Sequence, residues 1–208
     1  MSEKRETVGT STSSFGVGKR QNHDASKFYA RFTAPTITDD DGIVVAPEFE
    51  DPCIEGDARA MDAVPDNSVA LVVTSPPYFA GKAYEEDLGA EGVPASYREY
   101  LEMLHDVFAE CVRKLEPGGR IAVNVANLGR KPYRSLAADV IHILQDRLHL
   151  LLRGEVIWKK AEGAAGSVAW GSYRSAANPV LRDLTERVII AGKGRFDRAI
   201  PAKERKAR

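Results

Sequence analysis

The run Val69 to Val73 is apolar at every position, the pattern of a strand buried on both faces. From Tyr97 the apolar residues fall at Tyr97, Tyr100, Leu101, Leu104, Val107, Phe108, Cys111, Val112 and Leu115, a three-and-four spacing that predicts an amphipathic helix of about five turns. Pro117-Gly118-Gly119 is expected to stop that helix. Arg120 to Val125 then reads as a strand, Leu136 to Leu148 as a second amphipathic helix, and Glu155 to Trp158 as a third strand. A Gly- and Ala-rich loop runs from Gly163 to Gly171, and Glu186 to Ala191 forms the last strand. Ahead of the apolar run, Cys53 to Asp57 suits a short strand ending in Gly-Asp. Ala58 to Val64 suits a brief helix, and Pro65-Asp66-Asn67-Ser68 a turn. Strands alternating with helices predict an α/β layer fold on a mainly parallel sheet. Such sheets bind ligands at the carboxyl ends of their strands.

Residues 1 to 50 are rich in Ser, Thr, Gly and Asp and are expected to form a poorly ordered arm ahead of a core at 51–198, with a basic tail at 199–208. Within the arm, Gly18 to Arg31 combines four basic residues with Phe28 and Tyr29. That composition suits phosphate contact and base stacking, or else a solvated segment.

Composition narrows the picture only a little. The chain is 208 residues long, 43% hydrophobic and 28% charged, with a net charge of −1. One core is expected, and any nucleic-acid contact has to come from a local patch rather than from overall charge. Cys53 and Cys111 lie far apart, and His23, His105, His142 and His149 show no metal-ligand spacing, so no metal site is expected. No run reaches the apolar length of a membrane span, and the first residues lack the apolar stretch of a signal peptide. The expected setting is a reducing cytoplasm.

The chemistry concentrates at Thr74-Ser75-Pro76-Pro77-Tyr78, where the apolar strand ends. Two prolines fix φ and remove two N–H donors, so the chain can neither continue a sheet nor begin an ordinarily bonded helix there. What remains is a stiff loop offering a hydroxyl, proline carbonyls and an aromatic ring. That set is suited to a planar group bearing an NH₂: oxygens accept from the amine while the ring stacks on the plane.

The segment from Gly56-Asp57 through Pro65-Asp66, the apolar strand and Ser75-Pro76-Pro77-Tyr78 resembles the catalytic segment of DNA amino-methyltransferases, which methylate N4 of cytosine or N6 of adenine. Leu115-Glu116-Pro117-Gly118-Gly119-Arg120 and Trp170-Gly171-Ser172-Tyr173 through Glu186-Arg187-Val188 resemble later segments of the same family, and the likeness covers about residues 18 to 198. It implies a partial Rossmann-like class I methyltransferase sheet with helices on both faces, S-adenosyl-L-methionine as methyl donor, and double-stranded DNA as partner. It also implies that Ser75 and the carbonyl of Pro76 hold the amine of a flipped base, with Pro77 stiffening the loop and Tyr78 stacking on the base. Ser at the first position resembles the cytosine-N4 enzymes more than the adenine-N6 enzymes, which more often carry Asp there. Asp57 resembles the acid at the cofactor's adenine edge, or else caps the following helix. Trp170 and Tyr173 border the base pocket or serve as packing anchors, and Lys82 and Tyr84 lie in a lid or an exposed loop.

The order of segments resembles the permuted class in which the catalytic half precedes the cofactor-binding half. The glycine-rich DPFxGSGT turn of that second half is not found; Gly16-Val17-Gly18 and Gly192-Lys193-Gly194 do not open a helix after a buried strand. The expectation is a catalytic half whose cofactor-binding part lies in a continuation or on a second polypeptide. The other reading is an inactive remnant that only binds nucleic acid.

Overall fold

A computed structural model describes residues 36–45, 47–51, 53–79, 94, 96–127, 133–160, 169–170, 180–181 and 183–199. The chain divides into two compact units, Met1–Pro35 and Thr36–Arg208. The first unit, Lys82, Tyr84, Tyr173 and the tail beyond residue 199 lie outside the described residues.

The apolar run forms β1 (Val69–Thr74) and the periodic segment α1 (Tyr97–Lys114). Next come β2 (Leu115–Ala126), α2 (Leu136–His142) and β3 (Leu151–Lys159). A small pair, β4 (Ala169–Trp170) with β5 (Val180–Leu181), precedes β6 (Thr185–Gly192). The main sheet has the order β1-β2-β6-β3. β1 and β2 are parallel, whereas β6 is antiparallel to both β2 and β3. Thus β1, β2 and β3 share one direction, each joined to the next through a helix, and β6 returns against them after a connection in which the described residues hold no helix.

Alternation along β2 separates the sheet's faces. Ile121, Val123 and Val125 are fully buried and cluster with Ile189 and Ala191 of β6, with Tyr100, Leu104, Phe108 and Cys111 of α1, and with Leu136, Ala137 and Val140 of α2. Both described helices therefore cover one face. On the other face register places Leu71 and Val73 beside Arg120 and Ala122, and these two β1 side chains are 55% and 72% exposed. The sequence predicts burial on both sides of β1; the described structure buries one.

Three boundaries depart from expectation. Cys53 to Asp57 is irregular chain rather than a strand. Ala58 to Val64 forms no helix but two turns, closed by Ala60 N–H to the Asp57 carbonyl and Val64 N–H to that of Met61; Pro65 leaves too few residues to propagate a helix from them. The long helix ends at Lys114, and Pro117-Gly118-Gly119 lies inside β2, whose register against β1 slips between Val69 and Leu71. The second helix also changes character, from α to a π turn at Ile143–Arg147.

The start of β1 is tied down by charge. Glu110, almost fully buried, accepts from the Met61 N–H at 2.8 Å and from both Arg113 nitrogens, Nε at 2.7 Å and Nη2 at 2.6 Å. Buried Lys114 donates to Asp66 at 2.9 Å, and Arg113 donates to the same carboxylate at 2.7 Å. Hydrogen bonding to Arg113 holds the Glu110 carboxyl below its ordinary value of 4.5, against the opposing effect of burial. A depressed folded-state pKa gives stability that is complete above the unfolded value and lost as pH falls through the folded one. The urea midpoint is therefore expected to fall as pH drops below 4.5, and Glu110→Gln should flatten that dependence while lowering the midpoint at neutral pH. An unchanged acid limb in the variant would rule this out.

Candidate active site

The loop after β1 is gripped from two sides. On the helical side, Ser96 caps α1 by accepting from the Glu99 N–H at 3.2 Å, in a Ser-x-x-Glu arrangement that fixes the first turn of α1. That turn presents Tyr97 and Tyr100. The Tyr100 hydroxyl donates to the carbonyl of Pro77, and the Tyr100 ring stacks on Phe79 with centroids 5.2 Å apart. Tyr97 packs beside Tyr100 at 5.7 Å and donates to Asp139 of α2 at 2.7 Å. Phe79 itself has a φ of +51°, a left-handed conformation that costs about 1–3 kcal/mol and persists only when neighbours hold it.

On the sheet side the anchor is polar. The alternation of β1 carries Ser75 to the open face, where it is exposed. Ser75 Oγ lies 3.0 Å from Tyr78 Oη. Asn124 of β2 donates through Nδ2 to Tyr78 Oη at 3.2 Å and to Glu186 Oε2 of β6 at 2.6 Å. Glu186 is buried and also pairs with Lys160, whose ammonium stands 5.9 Å from the Trp158 ring centroid. Burial pushes the Glu186 carboxyl up, but hydrogen bonds from Asn124, Lys160 and Tyr78 outweigh it and leave the group below its usual value. Donating to Glu186 in turn holds the Lys160 ammonium above its ordinary pKa. Among the described residues Asn124 Oδ1, which is buried, has no hydrogen-bond partner; a buried group left so costs about 1–3 kcal/mol. Asn124 Nδ2 serves two oxygen acceptors, so turning the amide over would only set its oxygen against a carboxylate.

The structure keeps Ser75, Pro76, Pro77 and Tyr78 together at the end of β1 and sets behind them three residues that sequence reasoning missed, Asn124, Glu186 and Lys160. Asn124 left a signal, as the one polar residue within Ile121 to Val125, since Asn is depleted from strands. Asp57 sits in the turn ahead of β1, half exposed, where its carboxylate accepts from the Arg59 N–H at 2.8 Å and from the Arg59 guanidinium at 2.6 Å. These bonds hold it down at about 2. It closes a turn and not a helix. Trp170 lies in β4, paired opposite Val180. Among the described residues no group of three His, Cys, Asp or Glu is placed to hold a metal ion, and no helix is long and apolar enough to cross a membrane.

The fold has solved counterparts. A protein described as a DNA modification methylase from Thermus thermophilus, solved in complex with S-adenosyl-L-methionine, superposes with a TM-score of 0.51 at 27% identity, covering 73% of this chain and 59% of that one. The cytosine-N4-specific PvuII DNA methyltransferase gives a TM-score of 0.51 at 21% identity, over 68% and 49%. The architecture is therefore an α/β Rossmann-like methyltransferase fold. A family model described as DNA methylase, of the N6 and N4 type, matches residues 69–203, and the chain belongs to this DNA amino-methyltransferase family. It is 27% identical over 131 residues to the type II methyltransferase M.MjaVI of Methanocaldococcus jannaschii, covering 62% of this chain and 64% of that one. The chain thus spans less than two thirds of the length of each of these three proteins.

Proposed function

We propose that the chain supplies the amine-binding side of a DNA methyltransferase that modifies an exocyclic amine of a flipped base, cytosine N4 in preference to adenine N6. One observation carries the reading: Ser75 Oγ is exposed at the carboxyl end of β1, yet fixed from behind through Tyr78 and Asn124. In this reading Ser75 Oγ and the carbonyl of Pro76 accept the two amine hydrogens, which turns the nitrogen lone pair out of the base plane. The Tyr78 ring, tethered at its hydroxyl, offers its face to the base, and Trp170 and Tyr173 border the pocket. Orientation and fixed dipoles supply the rate, with no covalent bond to the protein.

S-adenosyl-L-methionine, when bound, supplies an electrophilic methyl group on a sulfonium. On the donor side Asp57 retains half-exposed carboxylate oxygens that can accept from an adenine edge. The rest of the donor site is proposed to lie in polypeptide covering the open face of β1, of this chain or a second one; the exposed Leu71 and Val73 support that placement. Residues 51–198 are taken as the catalytic region, with the arm 1–50 and tail 199–208 reaching DNA phosphates in a cytoplasmic setting.

The test is methylation of unmodified duplex DNA with labelled S-adenosyl-L-methionine, with and without a supplied cofactor-binding half from a relative, followed by nucleoside mass spectrometry. N4-methylcytosine is the expected product. N6-methyladenine would overturn the base preference, and unlabelled DNA in both mixtures would overturn the proposed activity.

A further inference from the structure

One backbone dihedral of the acceptor loop is left open by the loop's own sequence. The rings of Pro76 and Pro77 lock φ at both residues. Ser75 and Pro76 each precede a proline, which restricts ψ at both to the extended range. Pro77 precedes Tyr78 instead, so its ψ has both an extended and a helical well to choose from. That choice matters, because φ and ψ of Pro77 are the only rotations between the peptide plane carrying the Pro76 carbonyl and the plane that leads into Tyr78. The amine acceptor and the stacking ring of the proposed pocket are therefore geared to each other through a single soft torsion.

Tyr100 makes the choice. Its side chain is buried in α1, and its hydroxyl donates to the Pro77 carbonyl, the oxygen that swings as ψ turns. Beyond Tyr78 the Phe79 ring lies on the same Tyr100 ring, with centroids 5.2 Å apart and planes 18° from parallel, on a backbone held at φ +51°. Tyr100 thus grips the chain on both sides of Tyr78. Leu104 and Phe108 continue its buried stripe along α1, so the helix does not follow the loop if the loop shifts. A buried phenol needs a hydrogen-bond partner of some kind. It does not need that partner to be the open peptide of this loop, nor a left-handed residue folded back onto its own ring. Resting on the amine-methylation reading above, we propose that Tyr100 is a positioning residue of the reaction. By fixing ψ of Pro77 it sets the angle between the Pro76 carbonyl and the Tyr78 ring, so that a base stacked on the ring brings its amine within reach of the carbonyl.

Two readouts test this. The sequence holds two Pro-Tyr pairs, Pro77-Tyr78 and Pro132-Tyr133, so NMR of protein isotope-labelled at the proline carbonyl and the tyrosine nitrogen gives two carbonyl-to-amide correlations. Tyr78→Phe identifies the Pro77 signal by its loss. Tyr100→Phe keeps the ring and removes only the hydroxyl, and in it the Pro77 carbonyl should move upfield; a signal that stays in place overturns the hold on ψ. In single-turnover methyl transfer by the complete enzyme, Tyr100→Phe should lose about 10- to 100-fold at saturating DNA and cofactor, the cost of a small misplacement of reacting groups, with DNA affinity unchanged. Phe108→Leu, about two turns further along α1, should lower the melting temperature at least as much and keep the wild-type rate. A Tyr100→Phe rate equal to wild type, or an equal loss in Phe108→Leu, overturns the positioning role. If the Pro77 carbonyl responds but the wild type transfers no methyl group, the amine-methylation reading is what fails.

Discussion

Ser75→Ala is expected to lower single-turnover methyl transfer about 10²- to 10³-fold, the usual consequence of removing one fixed hydrogen-bonding group from a site where charge develops. Melting temperature and DNA affinity should stay close to wild type. Ser75 is exposed and its only described side-chain partner is the Tyr78 hydroxyl, so its loss leaves no buried group unpaired: Tyr78 keeps Asn124. The loop keeps its shape for a separate reason, since Pro76 and Pro77 fix their own φ and Tyr100 holds the Pro77 carbonyl. What disappears is an acceptor for one amine hydrogen, and with it the alignment of the nitrogen lone pair. Rapid-quench assays against fluorescence anisotropy with the same duplex separate rate from binding. A loss confined to DNA affinity, or none at all, would remove Ser75 from the chemistry.

The acceptor loop was readable because its constraint is local: two prolines after an apolar strand dictate a rigid polar strand end whatever surrounds it. The first long helix was readable for a similar reason, with a full apolar stripe and Ser96 positioned to cap it. What supports the loop was not local. Asn124 comes from β2, Glu186 from the beginning of β6 and Lys160 from the residue just past β3, and only the reversal of β6 between β2 and β3 brings Glu186 beside Asn124. An alternating helix and strand pattern records which segments are strands, but the direction of β6 depends on a connection that the pattern leaves open. The Tyr78 hydroxyl is likewise held by a partner distant in sequence, Asn124. Asp57 shows the opposite case: a Gly-Asp pair before a short apolar segment fits strand end, helix cap or turn, and the salt bridge to Arg59 decides for the turn.

Gly118→Ala is expected to destabilise the fold by about 3 kcal/mol, combining left-handed backbone strain of about 1–3 kcal/mol with overpacking of similar size. Gly118 has φ +77°, and an added Cβ would stand 2.7 Å from the Asp197 carbonyl carbon and 2.8 Å from the Arg198 Cα. Both are backbone, so relief requires moving chain and not rotating a side chain. That chain is held on both sides: Gly118 N–H donates to the Lys193 carbonyl at 2.8 Å, and Lys193 N–H donates to the Gly119 carbonyl at 3.0 Å. Displacing residues 197 and 198 also draws Arg198 away from Glu116, a carboxylate that is 1% exposed and would be left with its charge uncompensated. For a chain of this length the melting temperature should fall by about 10 °C. Gly56→Ala provides the comparison, because a Cβ there meets nothing within 4 Å, and its stability should match wild type. Equal melting temperatures for the two variants would show that the strand entering beside β1 tolerates a shift at Gly118, and that the start of the sheet is softer than its hydrogen bonds imply.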